Sequence, residues 1–282
     1  MASSGTDKLG LLAGTGRLPV MVADSASRSG RRVHTFGFKG MMSPDLKKVS
    51  EEVHEFPFCQ LGPVMDRMEE VGISQAVTIG SITQMSVLGG MPQFDDVALD
   101  IWRRLADRRV DTIMGELVKE LLNRGIRIVE AIRFLEDHLV SPGVMTGRKP
   151  TEKEWQDIRF GFNMAKAIGG LDIGQTVVVK QRAVMAVEAV EGTDRAILRG
   201  GEIARHEAIV VKVAKPEQDM RFDVPAAGME TIGSMRKVKA SVLALEAGKV
   251  LLVDKDNVVS AADDAGICII GVTKEEAVEN GL

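Results

Sequence analysis

The chain has 282 residues and a formal net charge of −4. That length is long for a single core, so two domains are expected, and the absence of a basic excess gives no ground for nucleic-acid binding. Two cysteines, Cys59 and Cys268, lie far apart without metal spacing, which fits a reducing compartment and argues against a disulfide scaffold. The histidines His34, His54, His138 and His206 are isolated in the sequence, so neither a zinc site nor a Ser-His-Asp set is expected. The opening MASSGTDK holds no apolar signal core, and no later stretch approaches a membrane span. A cytoplasmic protein is expected, with peripheral contact at the inner membrane left open.

In chain order, residues 9–13 (LGLLA) form a short apolar strand, followed at once by Gly14-Thr15-Gly16. Residues 18–29 have helical spacing and stop at Gly30, and residues 32–38 read as a second strand. This is a strand-turn-helix-strand unit whose glycine turn lets backbone approach a phosphate at a helix start. The full dinucleotide fingerprint is missing, because Pro19 stands where its third glycine would be, which disfavours NAD. A helix over 63–71 leads to a third strand, 75–79 (QAVTI), which runs into Gly80-Ser81. A small glycine-led turn at the end of a parallel-type strand is where open α/β sheets place ligands. Residues 83–92 form an apolar loop that is either a buried lid or an acyl contact. Helices over 96–107 and 112–124, the second capped by Asp111, precede a fourth strand at 126–131.

Residues 141–150 (SPGVMTGRKP) read as a linker. Thr151 and Glu154 make a capping box for a helix reaching about residue 168. LDIGQ (171–175) follows, then strands over 176–180 and 183–190, with Glu188 near the end of the second. Thr193 suits the N-cap of a short segment, 194–199, a use that competes with a ligand role. A strand over 208–214 leads into KPEQDMRFDVPAAG (215–228), stiffened by Pro216 and Pro225 and dense in charge. Such a loop suits a site that holds a metal or phosphate in fixed geometry, or is simply a solvated turn. A helix over 229–239, strands at 243–245, 249–253 and 267–272, and a helix over 257–265 complete a second α/β domain.

The ordered set LAGTGRLP (12–19), LDIGQ, AVEAVEGTD (186–194), KPEQDMRFDVPAAG and AADDAGICIIGV (261–272) resembles the two-domain UDP-2,3-diacylglucosamine pyrophosphatases of lipid A biosynthesis. That family is unrelated to the calcineurin-like phosphoesterases that perform the same step elsewhere, and the resemblance spans almost the whole chain. It implies a Rossmann-like, uridine-nucleotide-binding parallel-sheet domain over 1–140, a linker at 141–150, and a catalytic, acyl-binding α/β domain over 151–282. It also implies magnesium-dependent hydrolysis, other divalent metals being alternatives, of UDP-2,3-diacylglucosamine to UMP and 2,3-diacylglucosamine 1-phosphate. By position, Asp223 matches the family's essential aspartate, and Gly14 and Gly16 match its nucleotide loop. Asp111 aligns with an Asp-Asp pair usual in the family, whose first member is Val110 here.

The residue chemistry agrees with that implication. Asp223, Asp219 and Glu188 offer the carboxylate oxygens that a hard cation requires, with Asp223 and Glu188 taken as metal ligands. Lys215 and Arg221 suit phosphate oxygens, although Asp219 and Arg221 also read as a structural ion pair. Thr15, Gly80 and Ser81, with Gln175, Thr193 and Gln218 from the motifs, are assigned with Gly14 and Gly16 to substrate binding. The membrane surface is reached through the acylated substrate, and a homodimer is left open. The rival reading is a non-catalytic nucleotide-sugar or lipid-binding protein of the same fold, favoured by Val110.

Overall fold

The computed structural model describes residues 7–81, 94–107, 110–221 and 223–278. The apolar loop expected over 83–92 lies almost wholly outside them. The chain divides into two compact units, Met1–Glu136 with Asp219–Asp223, and Asp137–Gln218 with Val224–Leu282.

In the first unit, strands β1 (Lys8–Ala13), β2 (Arg32–Phe38), β3 (Glu52–Phe56), β4 (Gln75–Ile79) and β5 (Arg127–Ile128) form one sheet in the order β3-β2-β1-β4-β5. Every pairing is parallel, as strand-helix alternation requires. Helices α1 (Leu18–Arg28), α2 (Leu46–Val49), α3 (Leu61–Val71), α4 (Asp96–Arg104) and α5 (Val110–Asn123) connect and cover it. Phe36 on β2 packs with Met65 and Met68 of α3 and Leu121 of α5 in one buried cluster. α5 already includes Val110, so Asp111 lies inside the helix rather than at its cap. β3 was not expected: its sequence, EVHEF, carries two glutamates in five residues and is only partly buried. It is an edge strand, and charge along an edge is what blocks pairing with another chain.

The second unit carries β6 (Gly143–Val144), β7 (Thr176–Lys180), β8 (Ala183–Val187), β9 (Ile209–Lys212), β11 (Val242–Glu246) and β13 (Cys268–Val272) in the order β6-β13-β11-β9-β7-β8. Strands β10 (Ala226–Ala227) and β12 (Leu251–Leu252) pair separately. Helices α6 (Glu152–Gly170), α7 (Thr193–Ala204), α8 (Met229–Lys237), α9 (Lys255–Asp264) and α10 (Lys274–Val278) complete it.

The period-two alternation of β7 sorts its valines between faces. Val177 and Val179 join Ile158 and Phe162 of α6, whereas Val178 joins Ile197 of α7 and Met235 of α8. The result is a sheet with helices on both faces. The capping box of Thr151 and Glu154 forms as expected. Residues 141–150 are not a free tether: Gly143 and Val144 pair with β13, and the Thr146 hydroxyl accepts from the Ile269 N–H at 3.0 Å. Both cysteines are buried free thiols, and among the described residues no helix is long and apolar enough to cross a membrane.

Candidate functional site

The two glycine turns picked out in the sequence meet at the carboxy-terminal ends of β1 and β4. Those are the strands on either side of the point where the sheet order reverses, the place where open α/β sheets bind ligands. The Gly14 N–H donates to the Ile79 carbonyl at 2.9 Å, and Thr15 and Ser81 exchange backbone bonds of 3.0 and 3.1 Å. The Thr15 hydroxyl adds a bond of 2.9 Å to the Ser81 carbonyl.

The turns are so close that side chains are excluded. A Cβ on Gly14 would lie 2.7 Å from the Gly80 carbonyl carbon, and one on Gly80 would lie 2.8 Å from that of Gly14. Gly16 faces open space with φ +97°, and α1 starts just beyond, so backbone N–H groups are exposed where an anion is favoured. Beside the turns is a cavity of about 120 Å³ lined mainly by apolar side chains, among them Phe36, Phe38, Met65 and Leu117.

In the second unit three motifs converge. LDIGQ meets AVEAVEGTD because a Cβ on Gly174 would collide with the Glu188 carbonyl oxygen. The Gln175 N–H also approaches Glu188 Oε2 at 3.4 Å. LDIGQ meets the charged loop through Asp172, whose carboxylate accepts from Lys215 Nζ at 2.6 Å. Gln218 then accepts from the Lys215 backbone N–H at 3.0 Å.

Glu188 sits just past β8 rather than inside it, is 8% exposed, and accepts from the Thr193 hydroxyl at 2.6 Å. Thr193 is therefore not the N-cap. Gly192 takes that place with φ +84°, and Thr193 opens α7 with its hydroxyl turned to Glu188. Lys212, 6% exposed at the end of β9, donates to the same hydroxyl oxygen at 2.8 Å. Asp194 completes the group, with Oδ1 buried and unpartnered. Burial and the Glu230 carboxylate push its pKa up, while Lys212 pulls it down.

Lys212 and Asp194 are site residues that the sequence reading missed. A lysine closing an apolar strand run and an acid beside Thr193 were the available signals. A buried lysine among carboxylates and a carboxyl with a raised pKa mark a candidate functional centre.

The remaining assigned residues lie elsewhere. Asp219 and Arg221 form the bidentate ion pair that was one of their two expected readings, with bonds of 2.9 Å from Nε and 2.6 Å from the terminal nitrogen. Arg221's hydrogen bonds hold the Asp219 carboxyl below its ordinary pKa, so that carboxylate is committed to a guanidinium rather than open to a cation. Arg221 lines a cavity of about 440 Å³ with Arg31, Gln75, Arg127, Glu130 and Arg133. Gln75 and Arg127 begin β4 and β5, so Arg221 lies at the amino-terminal ends of these strands. It is not brought to Gly14 and Gly80 at the opposite ends. Asp223 is half-buried, and its N–H donates to the Asp219 carbonyl at 3.1 Å.

Compared with known proteins, residues 8–138 match the LpxI N-terminal domain and residues 141–270 the LpxI C-terminal domain. The UDP-2,3-diacylglucosamine pyrophosphatase LpxI of Caulobacter vibrioides is 29% identical over 280 residues, covering 95% of this chain and 99% of its own. A solved phosphoribosylglycinamide synthetase from Anaerococcus prevotii overlaps 67% of this chain and 40% of its own at 14% identity, with a TM-score of 0.24 that is too low to inform fold or function. With both halves matched in the same order, and with the glycine turns and the LDIGQ, Glu188 and Lys215 motifs in place, the chain belongs to the LpxI family.

Proposed function

We propose that this chain hydrolyses the pyrophosphate bond of UDP-2,3-diacylglucosamine, releasing UMP and 2,3-diacylglucosamine 1-phosphate for lipid A synthesis. The observation that carries the reading is that LDIGQ contacts both Glu188 and Lys215 in a chain of the LpxI family. Pyrophosphate cleavage needs charge neutralisation and an in-line water more than a reactive side chain. The turns built by Gly14, Thr15, Gly80 and Ser81 shape the uridine-phosphate end, and Gly16, at the start of α1, brings its backbone N–H to the phosphate. Lys215 neutralises phosphoryl oxygens, Gln175, Thr193 and Gln218 orient the sugar phosphate, and Arg221 is left out of the site because Asp219 holds it.

A hard divalent cation, magnesium first, fits the donor set. Glu188 and Asp194 are carboxylates, and the unpartnered Asp194 Oδ1 is the kind of oxygen a cation satisfies. Glu188, with Asp194 beside it, would hold it, and when bound it would supply charge neutralisation on the pyrophosphate; Asp223 keeps the essential role that its match to the family motif implies. Asp219 does not fit as a ligand, because Arg221 occupies it.

Leu171 and Val190, 71% and 91% exposed on either side of the Gly174–Glu188 contact, are assigned to the acyl chains. The chain then acts from the cytoplasm on a substrate held at the membrane surface. The test is UMP release from UDP-2,3-diacylglucosamine with and without magnesium. Asp223→Ala is expected to lower the rate about 100-fold or more while circular dichroism and the thermal midpoint stay unchanged. Binding of the UDP-sugar without turnover under any divalent metal would replace the hydrolase reading with that of a binding protein.

A further inference from the structure

Two of the histidines that are isolated in the sequence are neighbours in the fold. The parallel register of β2 and β3 sets His34 opposite Glu52 and Phe36 opposite His54. Residues two apart on a strand share a face, so both imidazoles and the carboxylate project to one side of the sheet edge. Glu52 Oε2 lies 3.2 Å from His54 Nε2 and 3.8 Å from His34 Nδ1, and the three donor atoms all fall within 4.8 Å of one another. Tetrahedral zinc, with bonds of about 2.0–2.1 Å, holds its ligand atoms roughly 3.4 Å apart, between the two measured approaches.

We propose that His34, Glu52 and His54 bind one zinc-class divalent ion, with a solvent molecule as the fourth ligand, and that the ion pins the edge strand β3 to β2. His34 is 4% exposed, and neither of its ring nitrogens has a hydrogen-bond partner; His54 Nε2 has none either. Buried polar atoms without partners are uncommon and call for an explanation, and a metal bond at Nδ1 of His34 and Nε2 of His54 supplies one for those two nitrogens. Burial lowers the pKa of both rings, which favours the neutral form in which imidazole ligates. Lys8, Arg32, Glu51 and Glu52 act electrostatically on His34, and Arg67 and Glu52 on His54.

The His54 ring is held by stacking on Phe36, with centroids 4.8 Å apart. Glu52 is exposed, and its nearest cation, Arg67, stands 3.8 Å away while bonding Glu70 at 3.0 Å. The carboxylate is thus reachable from solvent and only loosely engaged. Two imidazoles and one carboxylate select zinc or a similar transition metal over magnesium, which demands octahedral oxygen. This ion is therefore separate from the one proposed for hydrolysis.

The experiment uses the untagged full-length chain, stripped with chelator and titrated with zinc by calorimetry. Metal content is then read by mass spectrometry and the visible spectrum taken after loading with cobalt. The wild type is expected to take up one equivalent, to rise in thermal midpoint with zinc, and to show the intense cobalt bands of a tetrahedral site. Glu52→Gln and His54→Gln, both at the accessible side of the cluster, are expected to weaken binding about 10-fold or more and to lose the bands and the midpoint rise. UMP release with magnesium is expected to survive zinc removal, so this proposal and the hydrolase reading fail separately. No stoichiometric uptake by the wild type, or uptake undiminished in both variants, overturns the proposal.

Discussion

Gly14→Ala and Gly80→Ala test whether the two glycine turns interlock as described. A methyl on Gly14 would meet the Gly80 carbonyl carbon at 2.7 Å, its oxygen at 2.9 Å and the Ser81 nitrogen at 3.0 Å. Ordinary contacts begin near 3.4 Å, so the overlap is several tenths of an ångström against main chain, which cannot rotate away as a side chain would. Relief requires parting two turns joined by the reciprocal Thr15–Ser81 bonds.

Overpacking of this kind costs about 1–3 kcal/mol. Gly80 carries φ +105° as well, so alanine there adds about 1–2 kcal/mol of backbone strain, and Gly80→Ala is expected to be the more damaging. Either methyl already forces the same two turns apart, so the double variant should lose less than the sum of the singles. Urea denaturation of the full chain reads stability, and UMP release reads the site. Gly233→Ala is the control: it lies inside α8 with no atom within 4 Å of the added methyl, and it should stabilise by about 0.5–1 kcal/mol. Wild-type midpoint and rate in Gly14→Ala, or additive losses in the double variant, would refute the interlock.

Two further variants probe charge in the second unit. Lys212→Met removes the buried ammonium beside Thr193 and leaves Glu188, Asp194 and Glu230 without it. The expected loss is about 3–5 kcal/mol at neutral pH, shrinking as acid protonates the carboxyls. In the wild type Asp194's folded pKa is raised, so its contribution is fullest below the unfolded value of 3.8 and is lost as pH rises through the folded one. Urea curves at acid and neutral pH check this, and a loss independent of pH would count against it. Glu154 is held at about 2, against an ordinary 4.5, in a setting that includes paired bonds of 2.9 and 3.0 Å from Arg148. Its stabilisation is present above about pH 4.5 and lost on acidification toward pH 2. Glu154→Gln keeps a residue suited to the capping box but should flatten that acid limb in pH-jump unfolding.

Much of the architecture was written locally. The apolar run of β1, the helical spacing of α1 and the stops at Gly30 and Gly72 are properties of neighbouring residues. Gly72 takes φ +79° at the end of α3, the left-handed conformation for which glycine is suited. The capping box at Thr151 was readable for the same reason. β3 escaped because an edge strand needs little apolar content, and EVHEF therefore resembles surface chain. Residues 141–150 looked like a tether because prolines and glycines crowd there, although two of those residues pair with β13.

The sequence alone determined most of the longer strands and helices, the glycine turns and the family motifs, because each depends on residues adjacent along the chain. Only the tertiary structure decided which of them share a site. Parallel register across crossover connections sets His34 against Glu52 and puts Gly14 beside Gly80. The packing of α7 on the sheet delivers Thr193 to Glu188 and Lys212. Arg221, read from the sequence as a phosphate ligand, is instead paired with Asp219 at the amino-terminal ends of the first unit's strands. Such pairings arise between segments far apart in sequence, where no local periodicity records them and only the burial of whole faces fixes the match.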